Sequence, residues 1–212
     1  MMAVPKKKTS SRTVPKKKAS SAKAATAAIR GFKTQKDLAA WLEKNHPRVE
    51  GLWLRFAKKG SGKKSVSYLE AVETALCYGW IDGQSKSESE TTWIQRFTPR
   101  RTRSMWSKIN RDKALALIAR GDMRPAGHAE VERAKRDGRW ESAYDPSTTS
   151  EVPGDLQQEL DRRPVAAEFF DKLSRSNRYA ILWRLQTAKR PETRAQRLKT
   201  CVEMLEKGEK FH

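Results

Sequence analysis

Apolar residues begin to recur at helical spacing just past position 30. Leu38, Trp41 and Leu42 form one stripe, and Thr34 ahead of them offers a hydroxyl to the free amides of a first turn. The pattern predicts a helix from there to Lys44, closed by His46-Pro47, because proline disfavours helical geometry in the residue before it. Residues 51–57, Gly-Leu-Trp-Leu-Arg-Phe-Ala, read as a strand. Residues 58–64 hold four lysines and two glycines and read as a turn. Ser67 is placed to cap a helix over 68–78 whose inward row would be Leu69, Val72 and Leu76. A turn at 79–83 and a second strand at 93–98 follow. From Ser104 onward the spacing is helical, with segments at 104–120, 125–137, 153–161, 164–173, 176–189 and 191–207. Gly121 and Gly138 supply stops, Pro153, Pro164 and Pro191 supply starts, and Ser176 is the expected cap of the fifth segment. The fold class expected is α+β: a small α+β part at 32–103, then an all-helical part at 104–212 packed on it.

Charge changes the picture at the amino end. The 212 residues hold 45 Lys and Arg against 25 Asp and Glu, a net charge of +20, and residues 1–36 contain 11 of the bases and no acid. Val4-Pro5-Lys6-Lys7-Lys8 returns ten residues later as Val14-Pro15-Lys16-Lys17-Lys18. Such a composition cannot bury enough apolar area to offset chain ordering, so 1–31 is expected to be a disordered basic arm. Lysines interrupt every candidate apolar run, which argues against a secretory signal and for a cytoplasmic location. No stretch approaches the roughly 18 apolar residues of a membrane span. Two cysteines and three histidines exclude a disulfide scaffold and a four-cysteine zinc site, and neither a metal nor a cofactor is expected.

The candidate chemistry is mostly cationic. The arm is suited to polyanion contact through counterion release. Arg96, Arg100, Arg101, Arg103, Lys108, Arg111 and Lys113 fall within eighteen residues, with Trp93, Phe97 and Trp106 interleaved. Guanidinium forks bind phosphate and aromatics stack bases, so 96–111 is the candidate anion or nucleic-acid site. The plainer reading makes the aromatics core and the arginines a solvated rim. Arg190, Arg194 and Arg197 share one helical face and likewise read as a solvated face. Asp82, between Ile81 and Gly83, is either a pocket residue or a turn former. Glu70, Glu73 and Cys77 lie on one helical face, where carboxylates raise rather than lower a thiol pKa. The pattern identifies no catalytic residue.

Several phrases carry a resemblance: Gly51-Leu52-Trp53-Leu54-Arg55, Cys77-Tyr78-Gly79-Trp80-Ile81-Asp82-Gly83, Phe97-Thr98-Pro99-Arg100-Arg101, Gly138-Arg139-Trp140 and Lys189-Arg190-Pro191-Glu192-Thr193-Arg194. From about Phe32 onward the chain resembles the bacterial YdeI/OmpD-associated family, often labelled bacteriocin-protection proteins. The resemblance implies a stress-associated role in surviving bacteriocins or cationic antimicrobial peptides, and it brings no reaction or site residues with it. A strongly positive chain repels cationic peptides, which opposes direct sequestration. The expected function is therefore a non-enzymatic binding or accessory role of this type. Its alternative is sequence-independent nucleic-acid or polyanion binding through the arm and the 96–111 cluster, and an enzyme using Asp82 or Glu70 is a third reading.

Overall fold

The computed structural model describes residues 28–211. Most of the expected arm lies outside the described residues. Ile29–Gly31, assigned to the arm on composition, instead forms a short strand, β1, paired in parallel with β2 (Leu52–Ala57). The pairing is set by β2, whose residues 52, 53, 54 and 56 are buried, and not by any pattern in β1 itself.

Local chemistry explains the first two helices. α1 (Gln35–Asn45) and α2 (Tyr68–Cys77) each begin with a reciprocal capping box, Thr34 with Asp37 and Ser67 with Glu70. Each cap contributes about 1 kcal/mol by satisfying amides that have no helical partner. The inward row of α2 is Ala71, Val72, Ala75 and Leu76. Leu69, expected inside, is 60% exposed, because the helix buries the face one residue further round.

The sheet order is β1-β2-β4-β3, with β3 (Trp80–Ser87) and β4 (Thr92–Pro99) antiparallel to their neighbours. Residues 80–83, expected as a turn, open β3. Only Trp80 of that strand is fully buried, so its sequence lacks the alternation of a half-buried strand. Register places Leu52, Leu54 and Phe56 on one face with Phe97, Gln95 and Trp93, and extends that face through Asp82.

α3 (Lys108–Ala119, capped by Ser107) and α4 (Pro125–Arg136) complete this half. Residues 104–107, expected as a first helical turn, form an irregular lead-in. Two glycines let α4 approach the end of α2. A Cβ at Gly127 would lie 2.5 Å from the Cys77 carbonyl oxygen, and one at Gly79, which has φ +71°, would lie 2.9 Å from the Ala126 carbonyl oxygen. No larger residue fits at 127 without moving backbone.

α5 (Gly154–Asp161), α6 (Pro164–Lys172), α7 (Arg175–Gln186) and α8 (Pro191–Glu206) follow close to the expected spans. Ser174, rather than Ser176, caps α7 by accepting from the Asn177 amide. Buried apolar residues form two clusters. One runs from Leu38 to Ala143 and joins the sheet to α1–α4, and the other runs from Leu156 to Leu205 within α5–α8.

Candidate functional site

The cationic residues at 96–111 do not share one surface. Arg96 lies on the outer face of the sheet, where register sets it opposite Trp53, 5.9 Å from that ring. Arg101 and Arg103 are exposed on the turn that follows β4. Lys108 pairs with Asp145 at the start of α3, and Arg111 lies 3.5 Å from Asp112.

Arg100 is the exception to a solvated rim. It is 5% exposed, and its guanidinium stacks 3.5 Å above the Trp106 ring, which in turn packs edge-on against Trp140 at 4.9 Å. Arg100 Nη1 donates to the Met105 carbonyl (3.1 Å). Arg139, also 5% exposed, donates through Nη1 to the adjacent Ser104 carbonyl (2.6 Å) and through Nε to Asp137. Arg133, from α4, donates to the Arg100 carbonyl and pairs with Glu130. Two buried guanidiniums thus hold the 101–105 turn from beneath. The turn also closes on itself, with Ser104 N–H donating to Arg101 O and Arg101 N–H to Ser104 Oγ, both at 2.9 Å.

This cluster is rich in donors. Among the described residues, the buried side-chain nitrogens without an acceptor are Nε and Nη2 of Arg100, Nε1 of Trp106, Nε of Arg133 and Nη2 of Arg139. Every one is an N–H donor, and each unsatisfied buried donor costs about 1–3 kcal/mol. Burial lowers the Arg100 pKa to about 10, so it remains a cation at neutral pH. Burial raises Glu130, against the opposing pull of Arg133, Arg100 and Arg139. An oxygen-rich anion is the chemical complement of such a set.

Asp82 adjoins this region. Its carboxylate accepts from the Tyr68 hydroxyl (2.7 Å) and the Gln95 amide (3.3 Å), and Gln95 also donates to the Gly83 carbonyl across a bulge in β3. Asp82 is therefore a strand residue held by side chains, not a turn residue bonding backbone. Burial, then the hydrogen bond to Asp82, pushes Tyr68 well above the ordinary tyrosine range, and burial, then the Asp82 charge, raises Tyr144. Sequence reasoning singled out Asp82 and Arg100 separately, but it missed Tyr68, Gln95, Arg133 and Arg139. Arg139 was visible only as part of the Gly138-Arg139-Trp140 phrase.

The thiols are not activated. Burial, followed by Asp122, pushes Cys77 up to about 11, although the residue lines an open groove of about 460 Å³ with Glu73, Arg120 and Asp122. Burial also raises Cys201. Among the described residues, no group of three or more His, Cys, Asp or Glu is placed to hold a metal ion, and no helix is long and apolar enough to cross a membrane.

Residues 149–208 match the family described as Bacteriocin-protection, YdeI or OmpD-Associated. The helical half thus carries a YdeI/OmpD-type domain, in the family that the sequence resembles. Residues 30–130, which contain the phrases at 51–55, 77–83 and 97–101, match a domain of unknown function, DUF8412. No curated protein and no solved structure matches the chain.

Proposed function

We propose that this YdeI/OmpD-type protein is a non-enzymatic binding protein, and that the group it receives is an oxygen-rich anion taken up by Arg100, Arg133 and Arg139. One observation carries the reading: the buried unpartnered nitrogens are all donors and all belong to one cluster. The 101–105 turn covers the cluster, with Arg101 and Arg103 exposed above it. Displacing the Ser104 and Met105 carbonyls would free two further donors for the incoming group. The test is thermal denaturation in phosphate, sulfate or citrate against chloride at matched ionic strength. The expected outcome is a rise in midpoint with the oxyanions that Arg100→Met abolishes. An equal rise in the variant would sink the reading.

A second reading, sequence-independent nucleic-acid binding, is favoured by the outer sheet face. There Lys86 Nζ lies 4.9 Å from the Trp53 ring and Arg96 flanks the same ring, with Arg55 and Ile29 exposed on that face. Such binding would weaken steeply with salt and ignore sequence. Titrating a random and a defined duplex at two salt concentrations, with Arg96→Ala as control, checks it.

A further inference from the structure

A different part of the molecule carries an independent inference. The 58–67 segment connects β2 to α2, and it borders a cavity of about 600 Å³. Lys33, Lys58, Lys59, Lys63 and Lys64 line that cavity, and no acidic residue does. None of these five takes part in an ion pair among the described residues, whereas neighbouring Arg55 pairs with Glu88. Two of the ammonium groups are instead positioned by neutral hydroxyls. Lys58 Nζ donates to Ser87 Oγ (3.2 Å) and Lys63 Nζ to Thr91 Oγ1 (3.0 Å), which orients the ammonium groups; Lys63 also feels the charge of Glu88, a carboxylate already paired with Arg55.

The loop is closed by its own bonds: the Ser61 N–H donates to the Lys58 carbonyl (3.1 Å) and the Lys63 N–H to Ser61 Oγ (3.4 Å). Gly60 (φ +81°) and Gly62 (φ +70°) shape the turn, and nothing lies within 4 Å of a Cβ built on either, so its outer side is open. The Val66 N–H donates to the Phe32 carbonyl (2.9 Å), fixing the far end of the loop and bringing Lys33 to its rim. The wall opposite the lysines is aromatic. Trp93 stacks on Phe56 at 4.6 Å, and Tyr68, 38% exposed, lies 6.1 Å from Trp93.

We propose that this loop binds a phosphorylated small molecule bearing a planar ring, with the lysines on the phosphates and Trp93 and Tyr68 against the ring. A bare polyanion would need the lysines but not the aromatic wall, and a neutral aromatic would not need five ammonium groups without ion-pair partners. The concavity is large enough for a molecule of mononucleotide size. The site shares no cation with the Arg100 cluster, although Tyr68 of its aromatic wall also donates to Asp82 beside that cluster, and its test is chosen to tell the two apart.

Calorimetric titration of the full chain with ADP, pyrophosphate and adenosine decides it. The expected result is saturable one-to-one binding of ADP, weaker binding of pyrophosphate and none of adenosine. Lys59 and Lys64 are exposed, so Lys59→Ala with Lys64→Ala should leave the thermal midpoint unchanged while weakening ADP by about tenfold or more, the loss expected for two charge-assisted contacts. Arg100→Met should leave ADP affinity unchanged. Absence of ADP binding would overturn the proposal, as would equal affinities for ADP and pyrophosphate, which would remove the ring from recognition. ADP binding lost in Arg100→Met but kept in the lysine variant would move the phosphate to the buried cluster. A short single-stranded oligonucleotide that binds through these lysines while ADP fails to compete would make the surface a nucleic-acid interface instead.

Discussion

Both halves of the molecule draw arginines inward, and they treat them differently. In the helical half Arg194 donates from Nε and Nη2 to the two oxygens of Asp155 (2.7 and 2.8 Å) and from Nη1 to the Leu185 carbonyl (2.8 Å). Arg197 reaches the Arg184 carbonyl and the Thr187 hydroxyl. These residues do not form the solvated face their spacing suggests; they fasten α8 to α5 and to the end of α7. In the sheet half Arg100 lies deeper, yet makes one hydrogen bond and leaves two nitrogens without an acceptor. A buried cation with a bidentate carboxylate is a structural fastener. One without is an expensive feature that stability alone does not explain.

The largest effect should come from dismantling one side of the contrast. Gly127→Ala would drive a methyl group into the Cys77 carbonyl and push α4, which carries Glu130 and Arg133, off α2. Overpacking of this kind costs about 3 kcal/mol. Amide hydrogen exchange should lose protection over 32–143 and retain it over 154–206. Joint loss in both segments would mean that the clusters unfold as one cooperative unit.

A pair of isosteric replacements sharpens the comparison. Arg194→Met removes the partner of Asp155 and of the Leu185 carbonyl. It should destabilise by about 1–2 kcal/mol, the modest figure reflecting partial exposure of both side chains. Arg100→Met removes unpartnered donors as well as one bond, and should fall within about 1 kcal/mol of neutral, or stabilise. Denaturant midpoints measure both. A loss in Arg100→Met matching that in Arg194→Met would erase the distinction.

Acid separates the halves more weakly, and with opposite sign. Burial raises Glu130, so the folded chain holds its proton more tightly than the unfolded chain does. Its contribution to stability therefore grows as pH falls from neutral through that raised pKa. Arg194 lowers Asp155 below its ordinary 3.8, so that contribution is complete above the ordinary value and disappears as pH falls through the lowered one. Glu130→Gln should flatten the first slope and Asp155→Asn the second, each read from stability against pH.

The parts of this architecture legible in the sequence are those fixed by neighbours along the chain. Thr34, Ser67 and the first-turn prolines place helix starts because a cap acts over three residues. β1 and β3 were not legible. One is three exposed residues and the other has a single fully buried position, so each is a strand only because β2 or β4 supplies its hydrogen bonds. The Arg100 site failed to appear for a related reason. Arg100, Arg133 and Arg139 are spread over forty positions, and nothing local distinguishes a guanidinium stacked beneath a turn from one in water. Ser174 and Ser176 show the limit at short range: both stand at the start of the same helix, one before it and one within its first turn, and only the fold decided which accepts from Asn177.

The two apolar clusters are also consecutive in the chain: every buried member of the first precedes residue 144, and every buried member of the second follows residue 155. All of the sheet-containing core would therefore emerge from the ribosome before any of the helical core does. The first can close while the second is still being translated, without holding apolar surface open for a distant partner. The slower event within it, joining β2 to β4 across the 34 intervening residues, would be finished before α8 exists. The helical half, built from neighbours in sequence, would then fold as it emerges.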